Sequence, residues 1–95
     1  MFIINITYIK PMEEVEKYLT EHRTHLDKYY KSNNFICSGR RNPPTGGVIL
    51  CNAKGIKEVE AIVAEDPFKI NEIASYDIVE FHPTKYAEAF KVFVE

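Results

Sequence analysis

At 95 residues the chain has room for one domain, and a chain of that length buries only about 60–65% of its unfolded surface. A second domain is therefore excluded, and a homodimer is expected to cover the apolar surface that so small a core leaves bare. An apolar fraction of 45% with 13% aromatics excludes disorder, and a net charge of −2 offers no positive field to nucleic acid or anionic lipid.

Residues 1–6 lack the basic flank and cleavage site of a signal peptide, and their apolar run is too short to span a bilayer. A cytoplasmic protein with neither membrane nor nucleic acid as partner is expected. Residues 2–9, Phe-Ile-Ile-Asn-Ile-Thr-Tyr-Ile, are β-branched and aromatic, which suits a half-buried strand. Pro11 stops that strand and fits a first helical turn, where Glu13 and Glu14 complement the positive end of the helix dipole. Val15, Leu19, Leu26, Tyr29 and Tyr30 then recur at three- and four-residue intervals, which predicts one continuous helix from Met12 to about Lys31. Ser32-Asn33-Asn34 reads as a turn, residues 35–39 as a second strand running into Arg40-Arg41, and residues 48–51 as a third. The short Pro/Gly loop between these two strands argues for an antiparallel hairpin. Ile56, Val59, Ile62 and Val63 mark a second amphipathic helix ending near Glu65, and residues 74–82 a fourth strand.

The order βαββαβ predicts an α+β ferredoxin-like fold, a four-stranded antiparallel sheet with the helices on one face and the other face bare. Residues 84–95 read as an extra C-terminal helix whose aromatics are available to the bare face or to a partner subunit. Cys37 and Cys51 have neither CxxC nor zinc-ligand spacing, and each lies in an apolar run, so two buried free thiols are expected.

Along the first helix His22 falls between the Leu19–Leu26 stripe and Tyr29 and so points inward, His25 lies nearer the stripe's edge, and His82 ends a strand in solvent. An inward imidazole is either a core histidine bonded to a backbone carbonyl or an acid–base group partnered by a carboxylate. Asp66 is the candidate partner: Pro67 keeps it out of helical geometry and aims its side chain from a rigid corner, although such an Asp equally caps a short turn at 67–70. Ser38, Gly39 and Gly46-Gly47 flank the hairpin, where glycines permit close backbone approach and Arg40 or Arg41 can grip a carboxylate or phosphate. No phosphate-loop or dinucleotide spacing surrounds these glycines, and three histidines without a spaced carboxylate–His motif predict no metal and no cofactor.

His22 with Leu26 four residues on, Ser38-Gly39, Gly46-Gly47-Val48-Ile49 and Glu65-Asp66-Pro67-Phe68, in this order and spacing, resemble the YCII-related family. The resemblance runs over a core of about residues 2–83 and leaves the tail, residues 84–95, outside; residues 1–95 are expected to form a single YCII-related domain. It implies a dimeric α+β barrel with two sheets face to face, in a superfamily that also holds muconolactone isomerases and small monooxygenases. It further implies that the family's paired His and Asp fall on His22 and Asp66, with Ser38 nearby. The glycine that many relatives carry shortly after the Asp-Pro pair is replaced here by Asn71-Glu72.

The expected function is a cofactor-independent enzyme of isomerase or lyase type acting on a small cyclic or aromatic acid. His22 is its acid or base and Asp66 the partner that fixes the tautomer, while Ser38, Gly39, Arg40 and Gly47 bind the substrate. The alternative is a non-catalytic, dimeric module that binds a small molecule.

Overall fold

A computed structural model describes residues 1–94. Strands β1 (Phe2–Tyr8), β2 (Phe35–Arg40), β3 (Gly46–Cys51) and β4 (Ala74–Glu80) form one sheet in the order β2-β3-β1-β4, each neighbouring pair antiparallel. Helices α1 (Met12–Lys17) and α2 (Leu19–Lys31) join β1 to β2, and α3 (Ile56–Ala64) and α4 (Pro67–Ile70) join β3 to β4. This is the predicted α+β ferredoxin-like arrangement. No helix among the described residues is long and apolar enough to cross a membrane.

The alternation of β1 sets the core. Phe2, Ile4 and Ile6 point to one face, and the register places Ile4 between Ile49 and Ile78. Val15 of α1, Val59, Ile62 and Val63 of α3, and Phe68 of α4 belong to the same buried cluster; each large side chain fully buried there contributes about 1.5–3 kcal/mol. On the opposite face Ile3 lies between Leu50 and Val79, and Asn5 between Val48 and Asp77. Val48 and Val79 are exposed there.

Three expectations are corrected. The predicted long helix is two helices, broken at Tyr18, whose backbone (φ −112°, ψ 6°) lies near the bridge region. The Tyr18 amide closes α1 on the Val15 carbonyl at 3.1 Å, and its own carbonyl accepts from the His22 amide at 2.9 Å to open α2. This re-aiming buries His25 as fully as His22, at 8% and 9% exposure, instead of leaving it at the edge of a stripe. Cys51 is buried, and burial pushes its thiol up to about 11, but Cys37 is exposed. A bulge between Phe35 and Cys37 shifts the register, so that Cys37 pairs with Leu50 on the open side of an edge strand. The expected C-terminal helix is present as a short 3-10 helix, Glu88–Phe93, held at the end of the sheet by Asn52 Nδ2, which donates to the Phe93 carbonyl at 2.8 Å.

Short-range chemistry sets the remaining corners. Glu58 in the first turn of α3 accepts from the Lys54 amide (3.2 Å) and from Asn34 Nδ2 (3.0 Å), tying that helix to the end of α2. Glu72 has φ 54°, the left-handed conformation that a glycine adopts without strain. The loop after α4 thus takes a backbone shape for which a glycine is suited.

The hairpin is tightest at Gly46, where a methyl group would sit 1.8 Å from the Ile6 carbonyl oxygen. Gly46→Ala should therefore lower the stability by about 1–3 kcal/mol, the usual cost of overpacking, measured by urea denaturation. An unchanged denaturation midpoint would contradict this close approach.

Candidate active site

Asp66 is the side chain from which the site is built. It is the N-cap of α4, and Pro67 holds it extended (φ −69°, ψ 126°), which turns the carboxylate into the core at 1% exposure. A buried carboxylate has to be bonded on both oxygens. Oδ1 accepts from the Phe68 amide at 3.0 Å and lies 2.9 Å from His22 Nδ1, while Oδ2 accepts from the Tyr76 hydroxyl at 2.7 Å. Burial alone pushes the Asp66 carboxyl up; the bond and charge of His22, then the Tyr76 hydroxyl and the Phe68 amide, outweigh it and hold the group below its usual range.

His22 reaches this carboxylate from the first turn of α2. Its ring lies flat on Phe68, with centroids 4.1 Å apart and planes 8° from parallel, so the imidazole is fixed in orientation as well as position. An ionised carboxylate only accepts, so Nδ1 carries a proton, and the lone pair of the neutral ring is the one on Nε2. Burial and the neighbouring carboxylate push the Tyr76 phenol far above its usual range, so Tyr76 stays a donor. His25, three residues after His22, packs edge-on against Tyr29 and Phe35. Burial holds it below the ordinary imidazole range, and the Asp66 charge offsets this only in part.

His22 forms part of the wall of a cavity of about 200 Å³ between α2 and the β2–β3 hairpin. Ile6, Leu19, Leu26 and Ile49 give it an apolar lining, and Ser38, Gly39, Arg40 and Gly47 line it from the sheet side. The structure thus brings every predicted substrate-binding residue to one cavity with His22. Asp66 stands behind His22, outside the lining. Arg41 is separated from Arg40 by strand alternation: its guanidinium bonds Asn5 Oδ1 and Thr7 Oγ1 on the open face of the sheet. His82 is exposed and does not line this cavity.

Several residues of the site were not singled out by their sequence context. Arg23 lines the cavity beside His22, and Tyr8 lines it from the end of β1, edge-on to Phe68. Tyr30 meets the Ser38 hydroxyl at 2.6 Å and so orients it. Tyr76 shares the core face of β4 with Ala74 and Ile78, and an alternation count would have put it there. Among the described residues no acidic side chain lines the cavity, and neither Arg23 nor Arg40 has an ion-pair partner. The cavity accordingly favours a neutral or anionic occupant. Among the described residues no three His, Cys, Asp or Glu side chains gather as metal ligands would.

Comparison with known proteins adds three findings. The sequence profile of a family described as the YCII-related domain matches residues 1–82. No curated protein matches the sequence significantly. Among solved structures, the fold superposes with a TM-score of 0.72 on the 5-chloro-2-hydroxyhydroquinone dehydrochlorinase of Burkholderia phenoliruptrix, determined in complex with 2,5-dihydroxybenzoquinone. The match covers 94% of this chain and 98% of that one at 15% identity, which is a likeness of fold.

The buried His25 makes stability depend on pH. Unfolded, this ring takes up a proton near the ordinary value of about 6.5, whereas in the folded protein it resists to lower pH, so the unfolded state binds more protons in that window. Stability should fall as pH drops from about 6.5 through the folded value. Urea denaturation of wild type and His25→Phe across that range should show the wild type losing more stability on acidification. Equal losses would refute this role for His25.

Proposed function

The chain belongs to the YCII-related family, and we propose that it is an acid–base enzyme that needs no cofactor and acts on a small cyclic or aromatic acid. The observation that carries this reading is the bond of 2.9 Å from His22 Nδ1 to Asp66 Oδ1, which leaves Nε2 as the proton-accepting atom of a cavity-lining imidazole. In this reading Nε2 removes a proton from a ring carbon made acidic by a neighbouring carbonyl. Asp66 keeps the tautomer and stabilises the imidazolium that forms. Return of the proton at another position completes an isomerisation, and departure of a leaving group with its electron pair completes an elimination.

Arg40 and Arg23 would hold the acid group and the developing negative charge. Ser38, its hydroxyl oriented by Tyr30, would bond a ring oxygen, and Gly39 and Gly47 would let the ring lie close to the hairpin. The structural neighbour is a dehydrochlorinase holding a six-membered oxygenated ring, which supports an elimination on a ligand of this size.

A second reading draws on the burial of the pair. Asp66 caps α4 and His22 packs on Phe68, so the same contacts can serve a non-catalytic module that binds a small molecule. In either case the open sheet face, with Ile3, Val48, Leu50 and Val79, would meet the same face of a second copy.

Small cyclic and aromatic acids should raise the melting temperature, and those that do should be assayed for turnover. On the substrate so found, His22→Ala and Asp66→Asn should each lower kcat by about 10²–10⁴-fold, the usual contribution of a positioned acid or base. Ligand binding with turnover indifferent to both substitutions would favour the binding module. For the assembly, the wild type should sediment as a dimer and Val79→Asp as a monomer; a monomeric wild type ends the dimer proposal.

A further inference from the structure

Asp66 offers two oxygens to three donors, and they are unequally shared. Oδ1 serves both the Phe68 amide and His22, whereas Oδ2 has the Tyr76 hydroxyl, at the shortest of the three distances, 2.7 Å. Tyr76 comes from the opposite side of the carboxylate, on β4, where it pairs with Ile6 across the sheet. It does not line the cavity that His22 lines; its neighbours form a separate recess with Val63, Ile78 and Lys69, whose ammonium stands 5.8 Å from the phenol ring. Among the described residues, the hydrogen bond that joins Tyr76 to the pair is the one to Asp66.

We propose that Tyr76 is a positioning residue of the His22–Asp66 pair: held on Oδ2, it draws charge from the carboxylate and so tempers how strongly Asp66 holds a proton on His22. A donor on one carboxylate oxygen weakens the other as an acceptor, since both draw on the same delocalised charge. In water such a bond would be exchanged for solvent with little effect. Here Asp66 is 1% exposed, which shields the bond from that exchange. The consequence for the reaction, a base neither too weak to take the substrate's proton nor too strong to return it, rests on the function proposed above; the coupling itself does not.

The other titratable groups near the pair and Tyr76 are His25 and Arg23 on α2, Glu60 on α3, Glu65 beside Asp66, Lys69 on α4, Tyr8 on β1 and Arg40 on β2. None of them is substituted when Tyr76 alone is changed.

The experiment is an NMR titration of the His22 ring in the wild type, Tyr76→Phe and Asp66→Asn, with melting temperatures recorded alongside. Tyr76→Phe should move the midpoint of the His22 titration up by about half a unit, because the carboxylate freed of its second donor holds the imidazolium more tightly. Asp66→Asn should move it down. A midpoint that is unchanged or lowered in Tyr76→Phe overturns the proposal and leaves the phenol as packing alone. Should Tyr76→Phe fail to fold, 3-fluorotyrosine at position 76 keeps the shape with a stronger donor and should lower the midpoint; no shift there overturns the proposal equally. The titration needs no substrate, so a shifted midpoint in a protein whose turnover ignores His22→Ala would retain the coupling and discard the proposed reaction.

Discussion

A carboxylate taken out of water has to be bonded on every side or it does not stay charged, and Asp66 meets that requirement with one donor each from α2, α4 and β4. Much of the molecule is arranged by this need. The Phe68 amide comes free because α4 starts at Pro67, the Tyr76 hydroxyl arrives because β4 turns its core face there, and His22 completes the set from a helix otherwise remote in the chain. The pair is thus as much a rivet between the two helical connections as a source of chemistry. The carboxylate that would orient a base also tells α2 where to lie.

The cavity follows from what this rivet leaves unfilled. α2 is pinned at His22, and the β2–β3 hairpin below it carries Gly47 on the face that Ile6 shares, where a larger side chain would reach into the gap. The gap is lined with aliphatic carbon at its base and guanidinium groups at its edge, a gradient suited to a flat molecule with one charged end. Asp66 remains dry behind His22, so an occupant meets the imidazole and not the carboxylate.

Much of this was legible from residue patterns. The period of two in β1 and the period of three to four in the helices dictate the order of elements, and Pro67 marks the corner that aims Asp66. The His22–Asp66 contact spans 44 residues, and only the family's motif order pointed to it. Other features left no local mark. The break at Tyr18 uses a backbone conformation open to any residue, with no proline or glycine to announce it. The bulge that exposes Cys37 depends on the strand it pairs with. Tyr76 reads as a core residue of β4, and its role depends on what lies above it in the packed molecule.

Arg40 and Arg41 are neighbours in the chain with opposite destinations, one at the cavity and the other on the open face. Because strand side chains alternate, only the count of residues between the bulge and the loop decides which arginine goes where. Substitutions in this hairpin outside Gly46 and Gly47 leave the two arginines on their faces, but losing or gaining a single residue exchanges the two guanidiniums and alters both faces at once. Over evolutionary time the segment can therefore drift in composition far more easily than in length, and viable length changes should come in twos.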